Sequence, residues 1–170
     1  MTMMLQEALS SYLAKPGAAR ARELQQTVRR LAGFEEDTPW IDRAIALAQQ
    51  SRHDELARLL RALMPASFGC PVAHQLYAEA LAGLGDAEGA ERERAYAALG
   101  LELIEASGDG SRAKPWWVLH VVDQYAFLDA HGHEVVSQQL IMTDPAHLDA
   151  IECADGVVRH FALEAADADS

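Results

Sequence analysis

The side chains best suited to chemistry gather in the last third of the chain. His131 and His133 flank Gly132, with Asp129 and Glu134 beside them, and His120, His147 and His160 lie in the same stretch. Alternate residues of a strand share a face, so a His-x-His pair can grip zinc or nickel through two imidazoles. A closed zinc site needs four ligands and an open catalytic site needs three, and no further ligand stands at a recognisable spacing from this pair. The pair therefore reads as a polar hairpin tip able to contact a ligand, and no metal or other cofactor is expected. Cys70 follows Phe68-Gly69 and precedes Pro71 at a helix start, where the positive end of the helix dipole can activate a thiol. His74 is one turn on, but no signature places a base beside the sulfur, so capping and burial are the expected roles of Cys70. Neither a Gly-x-Ser-x-Gly elbow, a phosphate loop, a dinucleotide fingerprint nor a His-Glu-x-x-His helix occurs. No catalytic residue is expected, and the chain does not read as an enzyme.

Two further features could bind. In Ser107-Gly108-Asp109-Gly110-Ser111, glycines on both sides of an aspartate could hold a cation or a phosphate. A helix stop with Gly108 as its left-handed terminator explains the same residues and is the expected role. Trp116 and Trp117 point to opposite faces if extended, so at most one is core. The other packs under the helical part or serves as an exposed interface anchor. The candidate binding residues are thus Trp116, Trp117, Asp109, His131 and His133.

The elements that must position these residues fall into two parts, 1–106 and 107–170, docked as one compact unit. Helical period rules the first. Leu5, Leu9, Tyr12 and Leu13 share a face of a helix that stops near Lys15-Pro16-Gly17, and Leu24, Val28 and Leu31 stripe a second ending at Gly33. Asp37-Thr38-Pro39-Trp40 predicts a capped start for a third, carrying Ile41, Ile45 and Ala48. A fourth runs through Leu56, Leu59, Leu60 and Leu63 and ends before Pro65. Pro71 opens a fifth, and Gly85-Asp86 separates it from a long sixth reaching about Ala106. Ala57 and Ala90 stand 33 residues apart in similar contexts, close to the ~34-residue period of tetratricopeptide repeats. Residues 39–98 resemble such repeats, although Ser51-Arg52-His53 stands where the corner glycine is expected. Generic antiparallel hairpins account for the pattern equally well.

After Gly110 the period changes. Trp116 to Val122 is apolar on both parities, as a strand buried on both faces would be. Asp123 to Asp129 fits either strand or helix. Val135 to Thr143, Leu148 to Cys153 and Val157 to Leu163 predict three more strands, the last two joined by a hairpin at Ala154-Asp155-Gly156. Short connections imply antiparallel order, and the acidic tail from Glu164 to Ser170 is expected to fray. The expected class is α+β: tetratricopeptide-like antiparallel helical hairpins followed by a four-stranded antiparallel β-meander.

The string Ser107-Gly108-Asp109-Gly110, the Val-rich stretch ending Asp123-Gln124-Tyr125, then Gln138, Leu140, Asp149 and Phe161, resembles a bacterial domain of unknown function, number 4919, over about residues 70–164. That family carries a second acidic residue where Gln124 stands. The resemblance implies helices preceding a β-rich tail, with no established activity.

Composition bounds the function. The chain has 170 residues, 50% apolar and 24% charged, enough to bury a core without staples. Cys70 and Cys153 are far apart and suit a reducing compartment. The first residues lack the basic start of a secretory signal, and no run long enough to span a bilayer occurs, so a cytoplasmic protein without membrane contact is expected. Net charge is −12, of which −8 falls in residues 107–170, with 3 Lys/Arg against 11 Asp/Glu. Such a field repels phosphate backbones and attracts basic proteins, so no nucleic-acid partner is expected and a protein partner is. The leading expectation is a protein–protein interaction module, in its sharper form an acidic immunity or inhibitor protein for a basic toxin. The alternatives are a small metal- or ligand-dependent enzyme using the His131/His133 region, and a structural homodimer joined at a strand edge.

Overall fold

The computed structural model describes residues 2–142 and 146–164. Its elements run α1 (Met3–Ala14), α2 (Ala18–Arg29), α3 (Ile41–Gln49), α4 (His53–Leu63), α5 (Pro71–Gly83), α6 (Ala87–Ser107), β1 (Trp116–Trp117), α7 (Val121–Ala130), β2 (Val135–Met142), β3 (Ala146–Cys153) and β4 (Val158–Glu164). The protein is α+β, with six helices preceding the first strand, and no described helix is long and apolar enough to cross a membrane.

The helix ends follow local chemistry. The Thr2 hydroxyl accepts the Leu5 N–H at 3.3 Å to start α1, and the Asp86 carboxylate accepts the Gly89 N–H at 2.9 Å to start α6. Two expected caps differ. Helix α3 begins only at Ile41 and has no side-chain cap, because the Thr38 carbonyl accepts the Ile41 N–H at 3.0 Å and closes residues 38–41 as a turn. Gly108 is extended, with φ −167°, and the left-handed residue of that loop is Gly110, φ +76°. Glycine is needed at 108 because a Cβ there would collide with the carbonyl oxygen of Pro115.

Three clusters form the core. Trp40, Leu47, Leu56, Leu60, Tyr77 and Leu81 join α3, α4 and α5. Leu5, Leu24, Val28, Phe68, Leu103 and Leu119 join α1 and α2 to α6. Phe127 and Leu128 of α7 pack on Ile151 and Phe161 of the sheet, together with Ile104 of α6. Leu103 and Ile104 thus point into different clusters, so α6 is the spine shared by the helices and the sheet.

The expected antiparallel meander is corrected by the sheet order, β1-β4-β3-β2. Strand β1 pairs parallel to β4, Trp116 with Phe161 and Trp117 with Ala162, while β2–β3 and β3–β4 are antiparallel. The predicted strand from Trp116 to Val122 is cut to two residues because Asp123 closes a helix start on His120, which draws Val121 and Val122 into the first turn of α7. Asp123 to Asp129 is helical. The hairpin at Ala154-Asp155-Gly156 forms with Gly156 at φ +76° and the Asp155 carboxylate accepting the Val157 N–H at 3.0 Å. Thr143, expected to end a strand, and the tail beyond Glu164 lie outside the described residues.

Candidate functional site

The densest group of chemically capable side chains lies where α5 meets α7. Cys70 occupies the N-cap position of α5, with Pro71 opening the helix, and His74 sits one turn on along the same face. Gly100 lets α6 pass close to this turn: a Cβ there would lie 2.7 Å from the Gly69 carbonyl oxygen. From the other side, His120 is the N-cap of α7, and the third helical residue, Asp123, accepts the His120 backbone N–H at 3.1 Å. The Cys70 sulfur, one ring nitrogen of His120 and one carboxylate oxygen of Asp123 all lie within 4.8 Å of one another.

All four side chains are shut off from solvent, at 0% exposure for Cys70, 1% for His74, 2% for His120 and 1% for Asp123. Aromatic rings hold the imidazoles. Phe34 stacks on His120 at 5.1 Å, and Phe68 and Tyr96 flank His74 at 5.7 and 5.3 Å. Hydrogen bonds fix the tautomers. His120 Nδ1 lies 3.1 Å from the Glu36 carbonyl oxygen, which can only accept, so Nδ1 carries the proton and Nε2 presents a lone pair. His74 Nδ1 lies 2.7 Å from a carboxylate oxygen of the buried Glu93, which orients its Nε2 the same way.

The electrostatics are unfavourable for charge. Burial pushes the Cys70 thiol well up, and the neighbouring Asp123 carboxylate adds to the rise. Burial likewise lifts the Asp123 carboxyl to about 6, opposed by His120 and by Cys70. Three buried atoms of this group have no protein partner: His74 Nε2, His120 Nε2 and Asp123 Oδ1. A buried polar atom left unpaired costs about 1–3 kcal/mol, so three beside one thiol call for an explanation.

The next residue of α7 starts a second network, buried at Gln124 and Asp149 and exposed at Tyr125 and Gln138. Gln124 Nε2 donates to Asp149 of β3 at 2.7 Å, Gln138 of β2 approaches Gln124 at 3.5 Å, and the Tyr125 hydroxyl bonds to Gln138. Gln124, Tyr125, Gln138 and Asp149 therefore meet around α7.

The residues singled out from sequence lie elsewhere. His131 ends α7 with Nδ1 on the Phe127 carbonyl at 2.8 Å, and its ring stacks on His133 at 6.5 Å. His133 faces Asp155 at 3.8 Å. Among the described residues the pair does not belong to any group of three metal-capable side chains whose ligand atoms all lie within 4.8 Å of one another. Asp109 is exposed and its carboxylate accepts the Ser111 N–H at 3.0 Å, while the Asp109 and Gly110 N–H groups both donate to the Lys114 carbonyl. Trp116 is wedged against Phe127 and Phe161, at 4.7 and 5.4 Å. Trp117 lies on the other side, under the Arg22 guanidinium at 3.9 Å, its carbonyl accepting from Gln25 of α2 at 2.8 Å. Asp109 and Trp117 line one open groove with Arg22 and Lys114.

Sequence reasoning set Cys70 aside with His74 one turn on, and did not connect it with His120 and Asp123. The signals were present, since Cys70-x-x-x-His74 and His120-x-x-Asp123 both have helical spacing. The second was hidden inside a run that reads as a strand. Comparison with protein-family models, curated proteins and solved structures finds no match to this chain.

Proposed function

We propose that the protein is a protein–protein interaction module that docks an extended, basic partner segment on the open edge of its sheet. The observation that carries this reading is β2. It is the edge strand of the order β1-β4-β3-β2, and among the described residues its outer side pairs with nothing. Its register places Leu140 opposite Asp149 and Met142 opposite His147, on the face that packs under α7. Yet Leu140 is 56% and Met142 68% exposed, because α7 reaches β2 only around Val135 and Gln138 and leaves the rest of that strand's face open. Val121 and Tyr125, exposed on α7, extend the apolar strip, and the Tyr125–Gln138 bond ties it to β2.

Unpaired backbone beside uncovered apolar side chains is what strand addition uses: main-chain hydrogen bonds supply affinity, and alternate side chains supply specificity. The net −8 of residues 107–170 steers a basic segment toward this edge. A basic toxin held by its inhibitor is the sharpest case of such a pair. The test is affinity capture with the full chain at low and high salt, comparing wild type with a Leu140→Lys, Met142→Lys variant. Basic partners lost in the variant and weakened by salt support the reading. Capture that is indifferent to both overturns it. A dimer by light scattering that the same variant dissociates would replace the foreign segment with a second copy.

A further inference from the structure

We propose that Cys70, His74, His120 and Asp123 form a tetrahedral site for a zinc-class metal ion, which clips the helical part of the chain to the start of α7. This rests on the buried group alone and is independent of the reading of β2. The donor set is one thiol, two imidazoles and one carboxylate, borderline-soft ligands that suit Zn(II) and not the all-oxygen shells of Mg(II) or Ca(II). Cys70, His120 and Asp123 already bring their ligand atoms within 4.8 Å of one another. His74 closes the set as the fourth donor when the ion binds: it stands one turn from Cys70 on α5 and its Nε2 is buried without a partner, but it lies outside the 4.8 Å group and must move in to reach the ion.

Two independent observations point to a ligand. First, the unpaired atoms at this junction are the ones a metal would take: His74 Nε2, His120 Nε2 and Asp123 Oδ1, each on a side chain at least 98% buried. Second, the outer ring of contacts is that of ligating histidines. Such residues donate their remaining N–H to a carboxylate or a backbone carbonyl, which fixes the ring and raises its basicity. Here the Glu93 carboxylate accepts from His74 Nδ1 at 2.7 Å and the Glu36 carbonyl accepts from His120 Nδ1 at 3.1 Å.

Charge balance favours the same conclusion. A thiolate and a carboxylate buried together are strongly disfavoured in a dry interior. With a divalent cation and two neutral imidazoles their sum is zero, so the metal makes both anions tolerable. Binding displaces the Cys70 thiol proton to solvent, together with the Asp123 proton where that is present, and no redox change is involved. The ligand pairs lie on α5 and at the start of α7, separated by the whole of α6 and β1. A bond across that distance closes a long loop, so the expected role is structural.

The experiment uses the full chain, purified under reducing conditions from zinc-supplemented medium. Elemental analysis should find one zinc per chain. Protein stripped with a chelator should take up Co(II) with the visible bands of tetrahedral coordination and a near-ultraviolet thiolate-to-cobalt band. Cys70→Ser should lose the thiolate band, and chelation should lower the unfolding temperature. Glu93→Gln should keep the band while weakening affinity about 10–100-fold, the effect of losing an outer-shell partner. The proposal is overturned if wild-type protein holds no stoichiometric metal, takes up neither Zn(II) nor Co(II) in excess, and unfolds at the same temperature with and without chelator. The cluster would then be a hydrogen-bonded core. It is equally overturned if Cys70→Ser binds Co(II) with an unchanged spectrum. The wild-type measurements stand even where a variant fails to fold.

Discussion

Two pairs of histidines separate what is near in sequence from what is near in chemistry. His131 and His133 stand two residues apart and stack on one another, but His131 is exposed and both find their partners locally, at the end of α7 and at Asp155. His74 and His120 are far apart in the chain and both are buried in the interior, each with one nitrogen satisfied and the other bare. Water satisfies an exposed imidazole in any orientation, so its geometry specifies nothing. A buried one must have every polar atom answered by the fold or by a ligand.

The largest expected effect is at the interior pair. His120→Ala removes a ring stacked on Phe34 and leaves the Glu36 carbonyl without its donor, so a loss of about 2–4 kcal/mol is expected in urea unfolding with unchanged slope. A loss no larger than that of an exposed histidine would erase the contrast. Next comes the neighbouring buried network. Asp149→Ala leaves the Gln124 amide buried and unpaired and should lose about 1–3 kcal/mol, whereas replacing both residues by leucine should recover much of it. If the double variant were no better than the single, packing rather than polar pairing would govern that seam.

A smaller effect is expected at the surface hairpin, and it depends on pH. Arg159 and the Val157 N–H hold the Asp155 carboxyl well below the usual carboxylate range. A depressed acid adds stability that is fully present above its unfolded pKa of about 4 and is lost as pH falls through the folded value. The stability gap between wild type and Asp155→Asn should therefore be constant near neutrality and shrink on acidification below about pH 4. A gap that widened in acid would show that Asp155 acts other than as a paired anion. The smallest effect belongs to His131, which is exposed, and His133, which is half-buried. His131→Ala with His133→Ala should change stability by less than about 1 kcal/mol and leave the circular dichroism spectrum unaltered.

Much of the helical part was legible because its signals are local. Pro16-Gly17, Pro65, Pro71 and Gly85-Asp86 act through the backbone of their own turn, and each lies beside a helix boundary. The sheet was less legible. Trp116 to Val122 carries strand-like residues, but the bond from the His120 N–H to Asp123 outweighs their propensity and starts a helix. The parallel pairing of β1 with β4 joins residues more than forty positions apart, so no turn signal announces it. The candidate site shows the same division. Cys70 at a helix start and His74 one turn later are visible on the page, and so is the cap-like spacing of His120 and Asp123.

What the sequence determined by itself is therefore the approximate position of helices α1 to α6, the hairpin at Asp155-Gly156 and the acidic balance of the last third, since these rest on neighbours within a turn or on simple sums. What only the tertiary structure decided is which polar side chains lose water together. Helix α6 passes the Cys70 turn at Gly100, α5 packs against α7, and burial then turns three ordinary residues, Cys70, His120 and Asp123, into donors within 4.8 Å of one another. Burial is a property of the whole packed chain, so spacing alone could not disclose it.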